Sequence, residues 1–459
     1  MLLLSMLNYI LISGAHTHLP ALLMLNITRE LDLPISVYTL CLGIGSGVKA
    51  VLLMFYTGGI INHNGPQRCA IITTTILAVF LAFLSASTRV SFVAFLVAMV
   101  ITTGFAETPC FVVLLATHFD ALASFATATI MSAFSFAGAL LPLAFAPVVG
   151  SHGWRAVFGI NAVCCVIILP VLHRFLKPGP LTVGRNAPTA VPVPTSAPVP
   201  VPVQRAGNGE AASTRMEEKS RPSPAAGGGT VKAFRSFAFG ACWLSTFLHL
   251  LYGSLLSIHL ITVLQTGAGC DVATASAINA VQFGCAIGGK MGSGALLSVR
   301  NSRRAEHAVR LLLFIVAPFL YAGSHFLLLD IGGGGCESFV ASLMFTKSTW
   351  RLYAYAVMVG LPFGMIFGTL QCLPARLFGR QDLPAIQSAT YSAILAASAI
   401  FGPLVGLLRD AFGGYQVPLI VTFCASCMEC VLLAFLMRAD ATAQEAVAMS
   451  YENLEETII

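Results

Sequence analysis

Charge is what this sequence has least of. Only 19 Asp and Glu and 25 Lys and Arg occur in 459 residues, 10% in all, against 57% apolar residues. A water-soluble domain carries roughly 25% charged and about 45–50% apolar residues. The shortage excludes a soluble enzyme, and the apolar content excludes a disordered chain. A mean hydropathy of +0.84 marks a polytopic membrane protein. Catalytic signatures are missing as well: there is no P-loop, no H-E-x-x-H and no G-x-S-x-G. No enzyme and no bound cofactor is therefore expected, and any work done must draw on gradients. The start, MLLLSMLNYILISG, has no basic n-region and is not read as a cleaved signal peptide. The 13 cysteines lie mostly in apolar runs, such as Cys164 and Cys165 or Cys424, Cys427 and Cys430. There they read as small hydrophobes rather than metal ligands. Cys270 and Cys336 fall in loops on one face, which leaves a disulfide between them open.

Long apolar runs are what the chain does have. A ruler of about 20 residues per bilayer crossing finds twelve: 2–25, 37–61, 69–88, 91–116, 122–149 and 156–177, then 236–264, 272–298, 308–329, 352–375, 385–408 and 415–437. Between the two sets, 178–235 is rich in Pro, Ala, Gly and charge and cannot bury a core. The expected plan is an all-α membrane protein: an N-terminal half 1–177, a linker 178–235, a C-terminal half 236–437 and a tail 438–459. Basic residues set the orientation. With the N-terminus in the cytoplasm, inner loops, linker and tail hold 17 Lys and Arg and the outer loops 6, with Lys49 and Lys290 inside spans. Both termini and the linker are therefore expected to be cytoplasmic, and the plasma membrane is expected rather than an organelle. The sequon Asn26-Ile27-Thr28 then faces outward at a helix end.

The halves repeat each other. Gly58, Asn62, Gly65 and Arg68 at the end of span 2 recur 236 residues later as Gly294, Ser298, Asn301 and Arg304. Pro142, Gly153 and Trp154 recur 261 residues later as Pro403, Gly414 and Tyr415. Two six-helix halves with repeat symmetry are the plan of many secondary transporters, with substrate bound between the halves. The stretch Gly58-Gly59-Ile60-Ile61-Asn62-His63-Asn64-Gly65-Pro66-Gln67-Arg68 resembles the loop motif G-x-L-x-D-R-x-G-R-R of the major facilitator superfamily. Gly153-Trp154-Arg155 is similar to that superfamily's start of span 6. The motif's acid is replaced by Asn62, and by Ser298 in the second half, so the latch that acid makes in the family must be weaker or differently built. Leu377-Phe378-Gly379-Arg380 with Ile386 and Gly402-Pro403 resembles the monocarboxylate and oxalate/formate group. Gly289-Lys290 with Gly294 resembles that group's G-R-x-x-x-G, whose basic residue is thought to meet a substrate carboxylate.

Charge inside a span costs about 2.5–3.5 kcal/mol on insertion scales, so each case asks for a reason. Lys290 lies about 12 Å from the inner end of span 8 at 1.5 Å per residue; it either snorkels to the interface or, as the resemblance implies, binds an anion. Lys49, near the middle of span 2, is too deep to snorkel and asks for a charge partner or an aqueous cavity. Glu107 sits among Thr102, Thr103 and Thr108 in span 4, a cavity-lining helix in the resembled family; it reads as a proton-coupling carboxylate or as the partner of Lys49. Glu429, in the peripheral span 12, reads as structural. Span 1 carries His16 and His18, which are two apart and cannot share a helical face, so a metal site is not expected. Span 7 carries Ser245, His249 and Tyr252 on one face. His16, His249, Tyr252, Lys49 and Lys290 are the candidate substrate contacts. The expected function is alternating-access transport of a small organic anion, such as a monocarboxylate, with protons. Amino-acid facilitation is the other transport reading, and a transporter-like receptor that moves nothing is the rival from a different class.

Overall fold

The computed structural model describes residues 2–103, 110, 111, 114, 123–176, 234–298, 303–329, 350–378 and 383–458, and among these there is no strand. Among the described residues twelve long helices follow in order, besides the short Gly58–Asn64: α1 (Leu2–Glu30), α2 (Ile35–Thr57), α3 (Pro66–Ser85) and α4 (Arg89–Thr103), then α5 (123–152) and α6 (154–175), which one glycine separates. The second half holds α7 (Phe237–Thr266), α8 (Val272–Ser298), α9 (303–329), α10 (Trp350–Phe378), α11 (Leu383–Phe412) and α12 (Gln416–Ile458). All but α4, α5 and α6 are separately long and apolar enough to cross a membrane, as is the continuous Ala128–Phe175 that α5 and α6 share. Large apolar side chains such as Ile167, Phe319 and Val431 point outward, whereas Asn8, Thr74, His249 and Gln282 are buried. That inversion suits a protein dissolved in hydrocarbon, where polar groups must find partners inside.

Several boundaries differ from the sequence expectation, for physical reasons. The loop expected between spans 5 and 6 shrinks to Gly153, whose φ of 77° and ψ of 177° suit glycine almost alone. At the matching turn of the second half the left-handed residue is Gly413, φ 70°, one position before the Gly414 that the repeat alignment marks. Helix α12 also runs 21 residues past the expected 437, through what reads as a tail. Its first turn past 437 is anchored by Asp440, fully buried, which accepts from Arg376 Nε at 2.7 Å, Arg376 Nη2 at 3.0 Å and Arg310 Nε at 3.2 Å. That cluster ties together the ends of α9, α10 and α12.

Helices α8 and α10 pack backbone to backbone. Gly360, Gly364 and Gly368 recur every four residues on one face of α10, and Gly289 answers from α8. A Cβ on Gly360 would overlap the carbonyl oxygen of Gln282, on Gly364 that of Ala286, and on Gly289 that of Leu361. Small residues at this spacing let two backbones meet in a membrane, where close packing replaces the hydrophobic drive. The consequence is positional: α8 is fixed on α10 at the level of Lys290. The halves meet along α5 with α8 and along α2 with α11.

Candidate functional site

The first helix of each half widens into a five-residue π segment, Gly14–His18 in α1 and Leu255–His259 in α7. Such bulges turn side chains off the regular helical rows and occur often at functional sites. Each ends in a histidine that reaches a neighbouring main chain. His18 Nε2 donates to the Phe134 carbonyl of α5 at 3.1 Å, and its ring lies edge-on to Phe283 of α8, 5.0 Å between centroids. His259 Nε2 donates to the Gly402 carbonyl of α11 at 3.2 Å. His16 turns the other way. Its Nδ1 donates to the Ile12 carbonyl at 2.7 Å, leaving Nε2 to accept from Lys49 Nζ at 3.2 Å. Lys49, fully buried, also donates to Thr103 Oγ1 at 3.4 Å. His16 and Lys49 both make further interactions besides these. Glu107 lies outside the described residues.

Lys290 does not snorkel. It is 1% exposed, and its Nζ crosses from α8 to the other half, donating to Ser135 Oγ at 2.8 Å and to the Met131 carbonyl at 3.3 Å on α5. The faces of Phe367 and Phe134 cover it, with centroids at 4.6 and 5.5 Å. Aromatic faces attract a cation but carry no net charge. Among the described residues no ion pair includes Lys290. Two cavities of about 580 and 390 Å³ open at the end of the bundle away from the N-terminus, lined by Asn26, Arg29 and Glu30 or by Arg29, Arg409 and Asp410. Neither is lined by Lys290, whose ammonium is enclosed between the halves.

His249 and Tyr252 stand apart from Lys49 and His16, inside the C-terminal half. His249 stacks on Phe363 of α10 with centroids 4.8 Å apart, and its Nδ1 is 3.0 Å from Glu429 Oε1 of α12. Tyr252 Oη shares a hydrogen bond of 2.8 Å with Tyr355 Oη, and its ring lies against His325 of α9. Glu429 is therefore not peripheral: at 1% exposure it faces inward from α12 onto α7. Sequence reading missed His325, Tyr321 and Tyr355, which only the packing of α9 and α10 on α7 brings there. The motif residues line up as a structural turn. Gly58 opens the helix Gly58–Asn64, which contains Asn62, and Gly65, at φ 81°, closes it before Pro66 starts α3. Arg68 is exposed on the first turn of α3. Gly294 of α8 packs against Ala128 of α5, and Arg304 lies at the start of α9. Cys270 is a free thiol, and Cys336 lies outside the described residues.

The sequence model of the major facilitator superfamily matches residues 1–336, well over half of the chain. The chain belongs to the major facilitator superfamily. Its fold is also that of a bacterial homolog of the human lysosomal transporter Spinster. In the inward-facing and occupied conformation of that protein, the TM-score is 0.61 at 13% identity, covering 97% of this chain and 96% of that one. In its inward-facing and unoccupied conformation the TM-score is again 0.61, at 14% identity, covering 96% and 97%. At such identity the likeness shows the fold alone. A comparison with curated proteins finds no match. As a member of this superfamily the chain is a multi-pass membrane protein of the transporter type.

Proposed function

We propose that this superfamily member is a secondary carrier of small organic anions of the monocarboxylate class, moved with protons by alternating access. The two halves are the moving bodies, 178–235 is a cytoplasmic linker between them, and the plasma membrane is the site of action. One observation carries the reading: the enclosed ammonium of Lys290 has hydroxyl, carbonyl and aromatic partners but no anion among the described residues. A carboxylate is the group that completes such a site, because it supplies the countercharge and accepts charge-assisted hydrogen bonds. Its place on α8, reaching α5 of the other half, lets one substrate touch both moving bodies at once. His16 and Lys49 on the α1–α2 side are the further polar contacts, and Glu107 is the coupling carboxylate.

The test is uptake into proteoliposomes holding the purified protein, with labelled lactate, formate, leucine and glucose, with and without an acid exterior. Lactate or formate should accumulate when the outside is acidic. Leucine uptake without dependence on the gradient supports the amino-acid reading instead, and binding without accumulation of any probe supports the receptor.

A further inference from the structure

We propose that the Glu429–His249 pair is a second proton-binding site, separate from Glu107, in the core of the C-terminal half, linked through Phe367 to the anion held at Lys290. The linkage rests on the anion reading above; the proton site itself does not. Both side chains are buried to within 1%, with Oε1 and Nδ1 3.0 Å apart but poorly aligned for a settled hydrogen bond. Around them stand rings: Phe363 stacked on the imidazole, Tyr321 at 5.0 Å and Phe367 at 6.3 Å between centroids. In so dry a setting a lone charge is expensive, whereas a carboxyl and an imidazole sharing one proton are neutral together. The other ionisable groups facing Glu429 are Tyr321 of α9 and Cys430 of α12. Tyr252 of α7, Tyr355 of α10 and His325 of α9 form the next layer. No described ion pair joins a lysine or arginine to it.

Two features make this a working site rather than a static pair. His249 Nε2, on the far side of the ring from Glu429, lacks a hydrogen-bond partner, and so do Ser245 Oγ one turn away on α7, Ser426 Oγ one turn away on α12 and His325 Nε2 on α9. Buried polar atoms left without partners on three facing helices are spare donors and acceptors along which a proton can pass. The second feature is Phe367, which touches both sites. Its centroid is 4.6 Å from Lys290 Nζ and 6.3 Å from the His249 ring, so the two basic groups are within about 11 Å whatever the angle between them. At an effective dielectric of about 20, one unit of charge at that distance changes an equilibrium by about tenfold.

The bookkeeping of charge then gives the coupling. In the empty carrier the Lys290 cation balances a deprotonated, negative pair. When a carboxylate neutralises Lys290, the pair takes one proton from water, on Glu429 or His249, and returns it to water when the anion leaves. Anion and proton thus favour each other reciprocally, and the loaded core stays neutral.

Infrared difference spectroscopy on the reconstituted full chain reads this directly, following the carboxylic-acid carbonyl band as pH is raised, with and without lactate. The wild type should show a band that Glu429→Gln removes and His249→Gln displaces, and lactate should move its loss about one pH unit higher, a tenfold shift. Size-exclusion profiles check that both variants are folded, and His249→Gln serves alone should Glu429→Gln not be. A band unchanged in Glu429→Gln, or unmoved in His249→Gln, overturns the site. A band that Glu429→Gln removes but lactate and formate leave unshifted overturns the linkage to Lys290 and leaves the proton site standing.

Discussion

Replacing Lys290 by glutamine separates a substrate ligand from a structural cation. Glutamine keeps an N–H donor, on a side chain one atom shorter, but removes the charge. If the ammonium holds a carboxylate, the lost charge-assisted contact is worth about 1.5–3 kcal/mol net, which weakens anion binding roughly 10- to 150-fold. Folding stability should respond quite differently. Removing the cation relieves an insertion cost of about 2.5–3.5 kcal/mol, while its donation to Ser135 Oγ at 2.8 Å and Met131 O at 3.3 Å is weakened by about 1.5–3 kcal/mol for the better bond. The two nearly cancel, so thermal unfolding should shift by only a few degrees, about 2–4 °C per kcal/mol for a chain of several hundred residues. Lys290→Arg keeps the charge and should retain much of the binding. The assay is lactate and formate titration of purified protein, with uptake into proteoliposomes beside it. Equal affinity in wild type and Lys290→Gln would refute the reasoning, as would loss of binding that simply tracks loss of fold.

Three further outcomes are expected. Gly364→Ala drives a methyl into the Ala286 carbonyl, so α8 and α10 must part, costing about 1–3 kcal/mol; a melting curve in detergent checks it. Asp440→Asn leaves Arg310 and Arg376 facing a neutral amide in place of a fully buried carboxylate; the loss approaches the roughly 3–5 kcal/mol of a broken buried pair and reads as a lower unfolding temperature. Protease applied to intact cells should leave 178–235 uncut if the excess of 17 basic residues over 6 sets the orientation as expected; cleavage there inverts the topology.

The helical membrane fold was legible because hydrocarbon permits few solutions: apolar runs of about 20 residues become helices. Lys290 and Lys49 stood out for the same reason, as charges where charge is costly. What stayed hidden depends on which helices touch. The Gly360, Gly364 and Gly368 ladder was present as a pattern, and its spacing of four was a usable signal. His325 and Tyr355 had no such signal, since residues on α9 and α10 join Tyr252 only through tertiary packing. Glu429 was misplaced because helix number was taken for depth, although each helix of a bundle has an inner face. The continuation of α12 was hidden because Asp440 reads as a solvated tail until Arg310 and Arg376 are seen beside it.

The repeat reaches further than its motifs. Proline has no N–H, so the carbonyl four residues earlier loses its helical partner. Pro142 in α5 frees Gly138 in this way, and Pro403 in α11, its equivalent 261 residues on, frees Ala399. Opposite them stand residues that are themselves equivalent, 236 apart: Asn279 of α8 and Gly43 of α2. The two interfaces meet the same need differently. Asn279 Nδ2 donates to the Gly138 carbonyl at 2.9 Å, across the halves. Gly43 instead brings bare backbone against α11, where a Cβ would lie 2.7 Å from the Ala399 carbonyl oxygen. Asn279→Ala should therefore cost about 1–3 kcal/mol, the penalty for a buried carbonyl left without a donor. A double-mutant cycle isolates the cause. Pro142→Ala restores an N–H to Gly138, so in that background Asn279→Ala should cost less by about 1 kcal/mol or more, with unfolding of the purified protein as the readout. Strict additivity of the two changes would mean that the amide contributes packing alone and that the freed carbonyl finds its partner elsewhere.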